Sequence, residues 1–183
     1  MKYYIMKQDP RIANQATTIG SGDLDPLDLL DGKVLPPPGE LDIQLSPRSG
    51  NHRGCIIGGV VPLFHKKFIA KLKELNIDNV QYFPVNMHGP TDMIEKAYSL
   101  ANIIGLVDAV DITNSTLGEK IGNIRPTLYS FTIDQNKAKG FRIFRILHAP
   151  ALIIIDEILY KELTEFKAPA VLMYPTEEYD GWS

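Results

Sequence analysis

The same pattern of apolar residues occurs twice in this chain, and a chain with such a repeat has few ways to fold. The first copy, residues 60–85, reads VVPLFHKKFIAKLKELNIDNVQYFPV; the second, residues 151–176, reads ALIIIDEILYKELTEFKAPAVLMYPT, 91 positions later (151 minus 60). Each copy has an apolar run, then apolar residues three and four positions apart, then a second apolar run that ends near a proline. Spacings of three and four put side chains on one face of a helix. Each copy therefore predicts a strand, a helix and a second strand.

The helices of the two copies are expected near residues 65–75 and 156–166. Leu72 and Leu163 occupy equivalent positions on the two apolar faces, so both are predicted to be core residues. Asp156 precedes the second helix and is predicted to be its N-cap, because a carboxylate there can accept a backbone N–H of the first turn.

The rest of the chain contains several shorter segments with the pattern of strands. They cluster around the helices without regular alternation, which favours an α+β fold over a doubly wound parallel one. We expect a single domain whose mixed or mostly antiparallel sheet packs with two main helices, the two strand-helix-strand units forming a pseudo-repeat. The alternating segment around Arg142 and Arg145 is interpreted as a strand with both arginines at the surface. Predicted strands are 2–7, 41–45, 53–57, 97–104 and 107–112, a predicted hairpin joins 124–134 to 141–147, and a predicted loop covers 86–91.

Length and composition indicate an ordinary globular chain. The 183 residues fit one domain, residues 1–183, in which residues 1–50 carry the weakest pattern. Hydrophobic residues make up 44% of the chain and the net charge is −3, which argues against a nucleic-acid partner. No apolar run approaches the roughly 20 residues that a membrane-spanning helix needs, so we expect no membrane partner and a cytoplasmic location. Cys55 is the only cysteine, which excludes an intramolecular disulfide.

The sequence contains no motif that is typical of a catalytic, cofactor or metal site. None of the four histidines lies at metal-ligand spacing from another histidine or from Cys55. Phosphate-binding glycine loops and nucleophile elbows are also missing. We therefore expect no metal, no cofactor and no catalytic residue. The alternative is an enzyme whose site is assembled from scattered residues, namely His52, Cys55, Asp111 and His148.

The C-terminal segment TEEYDGWS combines acidic and aromatic residues beyond the last predicted strand. Tyr and Trp are enriched at the energetic centres of protein interfaces, and acidic groups attract basic partners. A frayed terminus is the alternative interpretation. The residues concerned are Glu177, Glu178, Tyr179, Asp180 and Trp182.

Several segments together resemble a known family. The opening MKYYIM, the helix and strand FIAKLKELNIDNVQYFPV, the run YSLANIIGLVDAVDI, the strand FRIFRI and the closing LIIIDEILYKELTEFKAPAVLMYPTEEY occur in the same order as in the eleventh immunity-protein family of bacterial polymorphic toxin systems. The resemblance covers nearly the whole chain, least well residues 8–51. It implies a cytoplasmic protein that binds and neutralises a cognate toxin from a neighbouring cell, often one delivered by contact-dependent or type VI secretion. It implies no catalytic residue.

Under this hypothesis the chain occludes the active site or substrate path of a toxin domain, and the contact residues lie on loops. The candidates are the loop around His88, the carboxylates of Asp108 and Asp111, and the tail from Glu177 to Trp182. If the tail matters for binding, deleting residues 177–183 should weaken toxin binding and leave the thermal midpoint nearly unchanged.

Overall fold

The computed structural model describes residues 1–89, 94–119 and 126–181. Within them the chain forms twelve strands and two α-helices in an α+β arrangement, as the sequence predicts. The N-terminal part contains β1 (Tyr3–Gln8), β2 (Thr18–Ile19), β3 (Leu41–Leu45), β4 (Ile56–Ile57), β5 (Leu63–His65) and α1 (Lys66–Glu74). The middle part contains β6 (Val80–His88), β7 (Ile94–Glu95), β8 (Tyr98–Ile103) and β9 (Leu106–Val107). The C-terminal part contains β10 (Ile143–Ile146), β11 (Ala149–Asp156), α2 (Glu157–Glu165) and β12 (Val171–Pro175).

The strands form two mixed sheets. The first sheet has the order β12-β1-β11-β10-β9, antiparallel except between β10 and β9. The second sheet has the order β2-β3-β6-β8-β5-β4, and β7 also pairs with β6. In the second sheet β3 and β6 run parallel, and the other pairs are antiparallel.

The two helices confirm the repeat down to their caps. The bounds of α1 and α2 differ by 91 positions at both ends (157 minus 66 and 165 minus 74). His65 caps α1 by accepting the N–H of Lys67, and Asp156 caps α2 by accepting the N–H of Leu159. Each helix is followed at the same distance by a residue with positive φ, Asn76 at 57° and Lys167 at 51°, as is common where a helix ends. The two units thus begin and end their helices with the same backbone geometry.

Each unit also contains a third strand that the sequence pattern does not reveal. In the first unit, β5 and β6 both pair antiparallel with β8, which lies between them. In the second unit, β11 and β12 both pair antiparallel with β1. The registers agree as well, because the cap His65 lies opposite Tyr98 and the cap Asp156 lies opposite Tyr3. The repeated unit is therefore three strands and one helix. Its central strand comes last in the first unit and first in the second.

The apolar faces of both helices enter one core, between the inner faces of the two sheets. Leu72 from α1 and Leu163 from α2 are fully buried there, which confirms both as core residues. The two helices also approach each other, since the ammonium of Lys71 lies 3.9 Å from a carboxylate oxygen of Glu162. These two residues occupy equivalent positions, 91 apart. A contact between equivalent positions is what a local two-fold relation between the units produces.

The outer face of each sheet has its own core. In the first sheet, β1 is apolar on both sides, as predicted: Tyr4 and Met6 face the helices, and Tyr3 and Ile5 face the outer core. In the second sheet, the outer core includes Leu29, which lies in a short 3-10 turn, Asp28–Leu30. Among the residues that the structure describes, loops and short 3-10 turns rather than α-helices cover both outer faces.

Three predictions about strands are wrong. Strand β6 continues to His88, so residues 86–88 are not a loop. The segment 107–112 is not a strand: β9 ends at Val107, and only Val110 makes an isolated bridge, to Ile133. The hairpin partner of β10 is β11 rather than residues 124–134, of which residues 124 and 125 lie outside the described part of the chain. Each error concerns which segments pair, which local alternation does not determine.

Arg145 is another correction, because its side chain is fully buried instead of lying at the surface. Its guanidinium donates to the carbonyls of Pro150 at 2.7 Å and of Val60 at 3.4 Å. Burial lowers the pKa of Arg145 to about 10. The side chain therefore connects the first sheet to the loop before β5. Arg142, by contrast, lies partly exposed with its Nε 3.4 Å from the cap carboxylate of Asp156.

The cap of α1 makes the stability of the fold depend on pH. The Nδ1 atom of His65 accepts the N–H of Lys67 at 3.1 Å, which requires that nitrogen to be unprotonated. Burial, helped by Lys66 and Lys67, lowers the pKa of His65 below its ordinary 6.5. The folded state then binds fewer protons than the unfolded state, so this contribution is present above pH 6.5 and is lost as the pH falls through the lowered pKa.

We therefore predict that replacing His65 by Asp, the residue at the equivalent position of α2, removes this part of the pH dependence. Urea unfolding from pH 7.5 to pH 5 measures it. The wild type should lose stability between pH 6.5 and pH 5 relative to H65D, whose carboxylate still caps the helix in that range. Parallel curves for the two proteins would contradict the capping role of the imidazole.

Candidate functional site

Three loop segments are joined over the outer face of the first sheet, and we call residues 108–119, 126–134 and 176–181 the loop layer. The N–H of Asp111 donates to the carbonyl of Thr132 at 3.0 Å, and the N–H of Phe131 donates to the carbonyl of Thr176 at 3.2 Å. Residues 131 and 132 therefore lie between the segment that carries Asp111 and the C-terminal tail. Two regions that the sequence separates by more than 60 residues share one surface.

Asp111 is held rigidly in the loop layer. It caps a 3-10 turn, Ile112–Asn114, by accepting the N–H groups of Thr113 and Asn114. A further hydrogen bond, from the side-chain amide of Asn114, is the main reason why the pKa of Asp111 lies below its usual range. Asp111 is thus a fixed negative charge at neutral pH.

Asp108 is the first residue of the loop layer and follows β9 directly, with its side chain exposed. One of its carboxylate oxygens is 3.5 Å from Nδ1 of His148. In the predicted strand 107–112, a spacing of three would put Asp108 and Asp111 on opposite faces. That prediction is wrong, because β9 ends at Val107, before both residues.

Residues 176–181 of the tail belong to the fold, so the alternative interpretation of a frayed terminus is wrong for them. Residues Thr176–Glu178 form a 3-10 turn, and Tyr179 is only 8% exposed. The ring of Tyr179 packs edge-on against Phe131, with ring centres 5.8 Å apart. Tyr179 is therefore part of the packed interior and presents little surface to a partner. Glu177, Glu178 and Asp180, by contrast, are exposed. Trp182, the last predicted contact residue, lies outside the described residues.

Two apolar side chains are exposed on the loop layer beside these carboxylates. Ile112 is 48% exposed and Tyr129 is 38% exposed. The ring of Tyr129 lies directly against Gly181, where an added Cβ would come within 2.7 Å of the ring. The tail and Tyr129 are therefore in contact. Neither Ile112 nor Tyr129 is predicted from the sequence, because alternation and spacing do not indicate which apolar side chains remain exposed.

His88 lies in a different part of the molecule. Its Nε2 atom is 2.6 Å from a carboxylate oxygen of Asp42, on the neighbouring strand β3 of the second sheet. The hydrogen bond with His88 lowers the pKa of Asp42. The predicted contact residues thus divide into Asp108, Asp111 and the acidic tail on one surface, and His88 on another.

The four residues of the alternative enzyme site have separate environments. Burial raises the pKa of the Cys55 thiol to about 11, so the thiol is a poor nucleophile at neutral pH. His52 is exposed, and the Asp111 carboxylate accepts the hydrogen bonds that cap its 3-10 turn. His148 lies beside Asp108 rather than beside the other three residues. Among the residues that the structure describes, no group of three or more His, Cys, Asp or Glu side chains could hold a metal ion.

Both α-helices are nine residues long. In the described ranges, no helix is long and apolar enough to cross a membrane.

Comparison with known families identifies the chain. The model of an immunity protein family (Imm11) matches residues 67–178, more than half of its length. The chain belongs to this immunity protein family. The match includes α1 except its first residue, all of α2 and β12, and the acidic residues Asp108, Asp111, Glu177 and Glu178. A search of curated proteins finds no match. Membership in an immunity family implies a toxin partner and a role other than catalysis.

For this family member we predict that the tail contributes to stability. Tyr179→Ala should lower the free energy of unfolding by about 3 kcal/mol, because it removes a buried aromatic ring and leaves a cavity against Phe131. Chemical denaturation measures the loss, and Tyr179→Phe, which keeps the ring, is the matched control. Equal stability of Y179A and the wild type would show that the tail does not pack as described.

Proposed function

We propose that this chain neutralises a cognate bacterial toxin in the cytoplasm by binding the toxin domain one to one and occluding its active site or substrate path. The observation that carries the proposal is the match of the immunity family over residues 67–178. Occlusion needs only a complementary surface, so it requires no cofactor and no catalytic group in this chain. Residues 1–183 act as one immunity-type domain in this proposal, because β1 lies between β12 and β11 in the first sheet and joins the two ends of the chain.

We further propose that the loop layer is the surface that contacts the toxin. Its exposed Tyr129 and Ile112 provide apolar area, and interface centres are rich in aromatic residues. Carboxylates on the same layer give it negative charge: Asp111, Glu177, Glu178 and Asp180. Such a surface suits a partner with a basic face, because opposite charges accelerate encounter and align the two proteins before the apolar contacts form. Because backbone hydrogen bonds already join the three segments of the layer, binding the toxin would cost it little conformational entropy.

Co-expression tests the function itself. The product of the gene immediately upstream is taken as the candidate toxin; it is expressed alone and together with this chain, and cell survival is measured. We expect growth arrest without this chain, survival with it, and a one-to-one complex when either protein is purified by a tag. Loss of viability despite co-expression would overturn the proposed function.

Charge reversal tests the surface. In the double variant Glu177→Lys with Glu178→Lys, we expect the association rate constant to fall by about tenfold at low ionic strength, because the attraction to a basic face is reversed. The difference should shrink as salt is added. Stopped-flow or surface binding kinetics with the toxin domain provide the measurement, and the thermal midpoint should change little because both side chains are exposed.

The matched control for this prediction is Asp23→Lys with Asp78→Lys. Both aspartates are exposed, lie outside the loop layer and produce the same change in net charge. An equal fall in the association rate in the control would mean that net charge alone steers binding. An unchanged rate in the tail variant would remove Glu177 and Glu178 from the interface.

A further inference from the structure

Strand β12 is one of the two edge strands of the first sheet. In the described part of the chain, no strand pairs with the side of β12 that faces away from β1. Strand β12 has five residues, whereas the other terminal strands of the two sheets, β9, β2 and β4, have two each. Very short terminal strands offer little to an incoming strand, but a five-residue edge presents a row of backbone donors and acceptors. Among these edges, β12 is therefore the one long enough to accept another strand.

The pairing of β12 with β1 defines which backbone groups are available. The N–H of Asp9 donates to the carbonyl of Ala170 at 3.0 Å, and these residues continue the register in which Leu172 lies opposite Lys7. In an antiparallel pair, every second residue bonds the neighbouring strand. Leu172 therefore bonds to β1, and the backbone groups of Val171 and Met173 point outward.

The backbone nitrogen and carbonyl of Pro175 point away from β1, as do those of Val171 and Met173. A proline has no N–H to donate, so it is tolerated in a sheet where its nitrogen faces away from the neighbouring strand. Its position opposite Tyr4 fits the alternation derived from Asp9 and Ala170. The open edge thus offers the N–H and C=O groups of residues 171 and 173, and the C=O group of Pro175.

Common protections of a sheet edge are missing along the first four residues of β12. The strand reads VLMYP and contains no charged side chain. All five residues are partly exposed, and Val171 and Met173 also pack against the core shared by the two helices. An open, apolar edge without charges attracts other strands unless it is covered.

We propose that an extended segment of the toxin domain adds to β12 as a sixth strand of the first sheet. This inference rests on the proposed function and specifies how the toxin is held. Backbone hydrogen bonds to residues 171 and 173 align the segment, and its apolar side chains cover Val171 and Met173. Strand addition is an established way for a sheet to recognise an extended peptide.

Charge indicates the chemistry of that segment. The strand runs directly into the exposed Glu177 and Glu178, only two and three residues after Pro175. A segment paired along β12 therefore has one end beside two carboxylates. The fitting occupant is a stretch with alternating apolar residues that carries lysine or arginine at that end. Because β12 ends at Pro175 and the loop layer continues from Thr176, the two surfaces adjoin and a single partner can contact both.

A proline substitution tests strand addition. Met173→Pro removes one outward N–H and places a ring on the open edge, while the hydrogen bonds of Leu172 to β1 remain. Met173→Ala is the matched control, because it removes the same side chain but keeps the backbone donor. Titration calorimetry with the toxin domain from the co-expression experiment should show binding to M173P at least about tenfold weaker than binding to M173A. Circular dichroism and the thermal midpoint of each variant verify folding.

Hydrogen exchange of the wild-type chain tests the same idea without a substitution. The amides of Val171 and Met173 should exchange rapidly in the free protein and at least about tenfold more slowly in the complex. Equal affinity of M173P and M173A, or unprotected amides in a stable complex, would overturn strand addition and leave the proposed function standing. No binding by the wild-type chain would overturn both. Protection that depends on protein concentration without toxin would identify a second copy of this chain as the occupant, and would also overturn the proposal.

Discussion

The apolar faces of α1 and α2 share one core with the inner faces of both sheets. Neither helix could be stable alone, because a nine-residue helix is too short to persist in water without tertiary contacts. Each helix therefore depends on the sheet of its own unit and on the other helix beside it. The proximity of Lys71 to Glu162 shows how closely equivalent parts of the two units meet. That ion pair is partly exposed and contributes little energy. The helices are therefore held mainly by their buried apolar side chains: Phe68, Ile69 and Leu72 of α1, and Leu159 and Leu163 of α2.

This shared core requires contacts between distant parts of the chain. Tyr3 lies opposite Asp156, and Tyr4 lies opposite both Ile155 and Pro175. The second unit is therefore complete only when the first strand of the chain reaches elements near its end. Such long-range pairing slows folding, since a large loop must close before the contacts form. The first unit has its central strand close by in sequence, which makes it the better candidate to form early.

The sequence predicts those parts of the fold that local spacing determines. Helix bounds, the cap Asp156 and the buried Leu72 and Leu163 all follow from residues within one or two turns. Strand partners depend instead on distant segments, which is why residues 124–134 look like the partner of β10 although β11 pairs with it. Arg145 illustrates the same limit, because its burial depends on carbonyl groups of residues 60 and 150 that its neighbours in sequence do not reveal. For the candidate site, the acidic residues were foreseeable from composition, but their convergence with Tyr129 was not.

The two units share their helical core and differ in what surrounds it. On the second sheet, β6 continues beyond Pro84 into pairing with β3 and β7, so the strand equivalent to β12 acquires neighbours. On the first sheet, β12 ends at Pro175 and the chain turns into the acidic 3-10 turn. The segments that cover the outer face of the second sheet precede residue 67, where the family match begins, whereas most of the loop layer lies within the match. Only the exposed side chains of these coverings, such as Glu177 and Glu178, can change without disturbing the core, because Tyr179, Val171 and Met173 pack against it. The repeated core therefore holds the fold, and variation between members of a family is expected at the exposed positions around it.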